Sequence, residues 1–380
     1  MCLPSQDQPF LVQLRICLDS VDLNRAIKRP HYPMPQLDDV LPELAKAKVF
    51  SVVDALNGFW QVELSEESSY LTTFWTPFGR YRWLRLPFGL CNASDEYQMQ
   101  QNRALEGLKG VASIADDTLV FGSGDTIEEA CADHDRNFHA LLEAAKRANL
   151  KFNIKKLKLR LPEVKYMGHW LSTEGLRPDP QNVAAIEDMP APTDVKGVQR
   201  LLGMVNYLSR FIPHLADECD PLRKLTLKDS AWVWDSPQQE ALKQLKKSIC
   251  QATTLSYYDV SKPATLQADA SSTGLGAVLM QDNTPVAYAS RTLTPTERRY
   301  AQIEKECLGI VFGCERFRHY LSAKDAVLVE TDHKPLEVIF KKPLLSAPKR
   351  LQRMLLRLQG FNLSVKYKRG SQLYIADTLS

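Results

Sequence analysis

No apolar run in this 380-residue sequence reaches the roughly 18 residues that a membrane-crossing helix needs, and no charged-then-apolar leader opens it. Both absences argue against membrane insertion and secretion. Eight cysteines are scattered and none forms a C-x-x-C pair, so neither a zinc knuckle nor a disulfide framework can be read. A reducing, intracellular compartment is the simpler setting. Internal repeats and low-complexity linkers are also lacking, and a formal charge of only +3 does not by itself announce a nucleic-acid binder. The charge is unevenly spread, however. Lys334 to Arg369 carries ten Lys or Arg against one acid, Glu337, and Lys151 to Lys165 carries six against Glu163. Such clusters either track a phosphate backbone or form a solvated face.

Length and a 44% hydrophobic content allow two or three domains, each with its own core. The first part mixes β-rich runs ("VFSVVDAL", "GRYRWLRL", "IADDTLVFG") with helical patterns such as "IEEACADHDRNFHALLEAAKRANL", an α+β layout. A helical stretch punctuated by Pro190, Pro192, Pro213 and Pro221 follows and reads as a connector. From about Tyr257 three strand-like runs, a long amphipathic helix, a strand, another helix and a last strand predict a compact α/β domain of about 120 residues.

Certain carboxylates stand in places where burial is costly. Asp269 interrupts the apolar run "TLQADAS", Asp332 ends "VLVETD", and Asp377 follows "YIA". A fourth comes from the helix "TPTERRYAQIEKECLGIVFGCERFRHYL", where Glu306 falls about 60° from Ile303 of the apolar stripe and Glu304 about 100° away on the other side. Taken singly, each acid reads as an ordinary cap or salt bridge. Converging, they would suit a pair of Mg²⁺ ions about 4 Å apart, with Mn²⁺ as the alternative ion. A parallel set lies earlier: Asp54 ends a β-branched run, and the adjacent Asp116 and Asp117 sit at the tip of an expected hairpin. That pair is either metal-binding or a plain acidic turn.

The order "LRICLDSVDLNRAIKRPHYPMP", "KVFSVVDALNGFWQVEL", "TTFWTPFGRYRWLRLPFGLCNAS", "IADDTLVFG" and "YMGHWLSTEGL" resembles the reverse transcriptase of gypsy-type LTR retrotransposons. "VQRLLGMVNYLSRFIPHLA" resembles the thumb and connector of the same polyproteins. "LQADASSTGLGAVLMQ", "PVAYASRTLTPTERRYAQIEKECLGIVFGCERFRHYL", "TDHKPLEVIF", "RLQRMLLRLQGF" and "YIADTLS" resemble their ribonuclease H domain. The resemblance runs from about Leu14 to the last residue. It implies an α+β multidomain protein: right-hand polymerase fingers and palm over 1–177, a helical thumb and connector over 178–255, and an α/β ribonuclease H-like domain over 256–380.

By the same resemblance Asp54, Asp116 and Asp117 would be the polymerase metal ligands, and Asp269, Glu306, Asp332 and Asp377 those of the ribonuclease. Phe59 would be the aromatic gate beneath the incoming sugar, Arg15 a triphosphate contact, and Phe88 part of the segment lining the nucleotide pocket. Tyr166, Met167 and Gly168 would belong to the primer grip, and His333 with Arg350 and Arg353 to the hybrid-binding surface. The implied partners are an RNA template, a DNA primer, deoxynucleoside triphosphates and RNA·DNA hybrid.

The chain departs from the family pattern at three places. Ile114 stands where a tyrosine usually precedes the aspartate pair, Val21 where arginine is frequent, and "MCLPSQDQPF" where a Lys/Gly-rich fingers strand is expected. The ribonuclease set is complete by this reading and the polymerase set less so. Neither a D-[ST]-G protease signature nor an integrase zinc module is present, which suggests a polyprotein fragment or a short gene derived from one. Three functions compete: a bifunctional polymerase and ribonuclease, a ribonuclease whose palm only holds the hybrid, and a silent nucleic-acid binder.

Overall fold

The computed structural model describes residues 17–29, 31–228, 230–322 and 324–373. They divide into two compact units. One comprises the described parts of Met1–Leu37 together with Phe50–Gly122 and Glu128–Arg160; the other comprises Asp38–Val49, Ser123–Ile127 and the described residues from Leu161 onward.

In the first unit the β-branched run around Val52 forms β1 (Ala47–Asp54), buried along most of its length, as expected of a strand covered on both faces. β2 (Phe74–Thr76) and β3 (Gly79–Tyr81) make a short hairpin. β4 (Val111–Ile114) and β5 (Asp117–Ser123) form a second hairpin, and with β6 (Lys158–Leu161) complete a sheet of order β4-β5-β1-β6. The helix Ile127–Ala148 follows its sequence periodicity, burying Ala130, Leu141, Ala144 and Ala145. Leu141 and Ala144 pack with Val53 and Val120. Inside this core Ser51 Oγ lies 2.7 Å from His134 Nε2 and accepts the Arg160 N–H at 2.8 Å, so a fully satisfied polar strut fixes the strand that ends at Asp54. The expected strand "GRYRWLRL" is broken in two: Gly79–Tyr81 pairs with β2, Arg82 lies over the Tyr70 ring at 4.0 Å, and further along Arg85 makes an isolated antiparallel bridge to Glu63.

The second unit opens with a three-stranded antiparallel sheet, β7 (Glu163–Tyr166), β8 (His169–Ser172) and β9 (Gly175–Pro178). Helices Pro180–Glu187, Val195–Tyr207 and Ser236–Cys250 follow. Each is entered through an aspartate: Asp179 accepts from the Gln181 N–H, Asp194 from the Gly197 N–H, and Asp235 forms a capping box with Gln238. Five strands then build the last sheet: β10 (Ala264–Ala270), β11 (Gly274–Gln281), β12 (Thr284–Thr292), β13 (Val327–Thr331) and β14 (Leu363–Tyr367). Their order is β12-β11-β10-β13-β14, with β10 to β12 antiparallel and β13 and β14 added in parallel.

The helix Gln302–Arg316 packs Cys307, Ile310, Val311 and Cys314 onto this sheet, and the helix Lys349–Leu358 adds Leu351, Met354 and Leu358 to the same core. The long helix begins later than its pattern suggested. Glu297 binds Arg291 through both oxygens at 2.8 Å and takes the Thr294 N–H, which holds Glu297–Arg299 in a separate 3₁₀ turn.

Candidate functional site

In the second unit, sheet register places Asp269 on β10 directly opposite Gly276 of β11. β13 runs parallel beside β10, so Asp332, one residue past its end, is delivered to the neighbouring position. The helix Gln302–Arg316 adds Glu306 from above. One oxygen from each of Asp269, Glu306 and Asp332 lies within 4.8 Å of the others. Glu306 is 4% exposed; Asp269 is half-buried and Asp332 exposed. The Gln302 side chain donates to Glu306 Oε1 at 2.5 Å and to the Ala270 carbonyl at 3.0 Å, while Glu306 Oε2 is buried without a hydrogen-bond partner. Burial, with the charge of Asp269 adding, pushes the Glu306 carboxyl up to about 8. Burial raises Asp269 as well; His214 opposes the rise and Asp332 adds to it. Three carboxylates so close carry a repulsion that a hard divalent cation relieves, and an all-oxygen donor set with one orphaned buried oxygen fits such an ion.

In the first unit β4 and β5 meet at Ile114 and Asp117, leaving Ala115 and Asp116 as the two-residue turn. Ala115 has φ +51°, in the left-handed region that a non-glycine residue enters at a cost. The turn is clamped by fully buried Gln98, which accepts the Ala115 N–H at 2.8 Å and donates to the Ser113 carbonyl at 3.0 Å. Asp54 stands beside the turn, since the Ala55 N–H donates to the Asp116 carbonyl at 2.8 Å. Gly58 is needed here because a Cβ would run into the Asp116 carboxylate and the Tyr97 ring. Burial, then the charge of Asp54, raises the Asp117 pKa against Lys156 and Lys158. Lys156 reaches Asp54 at 3.0 and 2.9 Å, one contact to each oxygen. Asp54, Asp116 and Asp117 are near neighbours but do not close into a trio as tight as the first, and Lys156 partly serves as their counter-charge.

The aromatic candidates lie together. Phe59 is 5.0 Å from Phe88 and 5.6 Å, edge-on, from Tyr97, and packs with Leu86 and Ala93. In the strand-turn "YMGHWL" the side chain of Tyr166 is 1% exposed and belongs to the core, whereas Met167 is exposed at φ +46° and Gly168 at φ +74° lies against the Tyr207 hydroxyl. Tyr207 donates to the Met167 carbonyl at 2.8 Å. His333 occupies the position just before the helix Lys334–Lys341 without a side-chain capping bond, and Arg353 is exposed on the helix Lys349–Leu358. Arg350 pairs with Glu304 at 2.6 Å and covers the Tyr300 ring at 4.2 Å. Other members of this basic run are also paired: Lys341 with Glu337, Arg357 with Glu315 and Lys368 with Glu330. Arg15 and Asp377 lie outside the described residues. Sequence reasoning missed Lys156, Gln98, Tyr97 and His214, whose partners are remote in the chain; for Lys156 the one available signal was its place in a basic run.

His169, next to the exposed turn, makes a measurable prediction. It is 6% exposed, and burial, with Arg210 adding, lowers its pKa to about 4, well below the 6.5 usual for histidine. The unfolded chain therefore binds this proton first, so the stability due to neutral His169 is intact above pH 6.5 and falls as the pH drops towards 4. Between pH 7 and 5 the loss is roughly 2 kcal/mol. Urea unfolding at the two pH values should show it, and His169→Gln should reduce the difference by about that amount.

Residues 10–171 match the reverse transcriptase (RNA-dependent DNA polymerase) family, and residues 259–361 match the RNase H-like domain found in reverse transcriptase. The chain is 34% identical over 372 residues to the retrovirus-related Pol polyprotein from transposon 297 of Drosophila melanogaster, covering 96% of this chain and 34% of that protein. It is 30% identical over 375 residues to the Tf2-3 transposon polyprotein of Schizosaccharomyces pombe, covering 97% and 28%. The chain thus spans about a third of the length of the curated relatives it matches. Among solved structures, the foamy viral protease-reverse transcriptase dRH in complex with double-stranded DNA superposes with a TM-score of 0.82 at 22% identity, over 93% of this chain and 62% of that one. The foamy viral protease-reverse transcriptase in complex with RNA/DNA hybrid gives 0.76 at 22%, over 94% and 49%. At that identity the likeness establishes a shared fold.

Proposed function

Because this chain belongs to the reverse transcriptase and ribonuclease H family of retrotransposon Pol polyproteins, we propose that it couples RNA-directed DNA polymerase activity with cleavage of the RNA strand of RNA·DNA hybrids. The carrying observation is the convergence of Asp269, Glu306 and Asp332 within 4.8 Å. With Asp377 they would hold two Mg²⁺ ions, Mn²⁺ being the alternative. Bound there, the ions would activate the attacking water and stabilise the leaving oxygen of a phosphodiester. The chain's own part is to hold the oxygens. Glu306, its carboxyl raised to about 8, would hold a cation in its ionised form, and Gln302 fixes its other oxygen.

In the polymerase half, Asp54, Asp116 and Asp117 would hold the ions that bind the triphosphate of a deoxynucleotide and the primer 3′ hydroxyl. Lys156 would leave Asp54 as they bind. Phe59 and Phe88 would line the nucleotide pocket with Arg15 on the triphosphate. Met167 and Gly168 would touch the primer through exposed backbone, Tyr166 supporting them from the core. His333, Arg353 and, once released from Glu304, Arg350 would contact the hybrid backbone. The corresponding division is 1–177 for fingers and palm, 178–255 for thumb and connector, and 256–380 for the nuclease. The partners would be RNA template, DNA primer, deoxynucleoside triphosphates and RNA·DNA hybrid, with binding that weakens steeply as salt rises.

One preparation of the chain tests both halves. With Mg²⁺ it should extend a DNA primer on an RNA template and cut the RNA of a hybrid, and a chelator should stop both. Cleavage without extension would confine the activity to the nuclease half. A folded chain that does neither would refute the catalytic reading.

A further inference from the structure

Beside the nuclease carboxylates lies a histidine that does not come from their domain's own sheet or helices. His214 belongs to the segment between the helices Val195–Tyr207 and Leu215–Glu218, more than fifty residues before Asp269. Its ring covers Gly276: a Cβ on that residue would lie 2.9 Å from the His214 Cε1 and 3.0 Å from Nδ1. Gly276 is the direct cross-strand partner of Asp269, and side chains at paired positions share one sheet face. A glycine at this register leaves room for the imidazole next to the Asp269 carboxylate.

The placement is built. The His214 backbone is held at φ +52°, a left-handed conformation for a non-glycine residue, and its carbonyl accepts the Asp217 N–H at 2.9 Å. Asp217 in turn accepts from the hydroxyls of Ser271 at 3.0 Å and Thr273 at 2.7 Å, in the turn just after Asp269. The Ala216 N–H donates to Ser290 Oγ at 3.0 Å on β12. Two residues just after His214, Ala216 and Asp217, are therefore stapled to the sheet that carries the carboxylates and to its β10–β11 turn. His214 itself is 7% exposed, and its Nε2 is buried with no hydrogen-bond partner, a state that is costly unless the nitrogen is kept for a particular neighbour. Burial raises the Asp269 carboxyl, and His214, followed by the Ala270 backbone hydrogen bond, opposes that rise.

We propose that His214 is a positioning residue of the hybrid-cleaving centre, whose buried imidazole holds the Asp269 carboxylate ready for divalent cations. The inference rests on the nuclease reading above and adds to it a residue supplied from outside the nuclease domain. Partners that orient a metal ligand from behind typically change metal affinity or activity 10- to 100-fold when lost.

The test uses the full chain carrying Asp116→Asn and Asp117→Asn, so that the palm does not contribute metal binding, with His214→Ala, His214→Phe and His214→Gln added separately. Free Mn²⁺ is titrated by its paramagnetic resonance signal, hybrid cleavage is resolved into kcat and KM, and thermal melting verifies folding. His214→Ala and His214→Phe should each weaken Mn²⁺ binding and lower kcat about 10- to 100-fold, with KM within about twofold. His214→Gln, which keeps a polar hydrogen-bonding end, should recover part of both. A purely structural role predicts the opposite order, since phenylalanine fills the space over Gly276. If His214→Phe binds Mn²⁺ as the parent does, or the parent binds none, the inference is overturned. If Mn²⁺ binding depends on His214 but no parent chain cuts the hybrid, the nuclease reading fails and the positioning role stands.

Discussion

Asp269→Asn should abolish hybrid cleavage, by at least about 10³-fold, because under the proposed function it removes an oxygen that would bind the cation directly, whereas loss of an outer partner costs 10- to 100-fold. The substitution keeps the shape of the side chain. It also removes a half-buried carboxyl whose pKa is raised by burial and by Asp332, so the protein should be at least as stable as the wild type in the absence of metal. Loss of cleavage with an unchanged or higher melting temperature therefore isolates chemistry from folding. The same preparation should extend a primer to within about twofold of the wild type, since Asp54, Asp116 and Asp117 belong to the other unit. Cleavage surviving in folded Asp269→Asn would remove the carboxylate trio from the mechanism.

The mirror experiment is Asp116→Asn, which should reduce primer extension by at least about 10³-fold while hybrid cleavage persists within about twofold. The site tolerates the change structurally. Asp116 is exposed in a two-residue turn, and asparagine is among the residues such turns prefer. The strain of the turn sits at Ala115, and its clamp, Gln98, binds backbone groups of Ala115 and Ser113, so neither depends on the Asp116 charge. A preparation that loses extension and keeps cleavage establishes two independent centres. Extension that persists would leave the acidic pair as an ordinary turn.

What the sequence made legible was mainly local or periodic. The apolar stripe of the helix Gln302–Arg316 predicted that Glu306, not Glu304, faces the packed side, and Glu306 is buried while Glu304 reaches outward to Arg350. Strand runs interrupted by acids gave Asp269 and Asp332, and a parallel neighbour brings them together. What was not legible depends on partners far along the chain. Lys156 is 102 residues from Asp54, yet it meets both carboxylate oxygens. Charge counting treated Lys334 to Arg369 as one basic surface, but Glu304, Glu315, Glu330 and Glu337 pair with four of its residues. Tyr166 illustrates a different limit: a motif marks a strand-turn, but alternation along β7 sends this side chain into the core and leaves the neighbouring Met167 exposed. His214 carried no signal at all, because its meaning comes from a glycine on a strand more than sixty residues later.

The most direct test of the central claim is strand-resolved cleavage of an RNA·DNA hybrid labelled separately on each strand, with the wild-type chain in Mg²⁺ and in excess chelator. The proposed function predicts that the RNA strand is cut, the DNA strand is spared, and chelation stops the reaction. A folded chain that binds the hybrid in Mg²⁺ and leaves the RNA intact would contradict it.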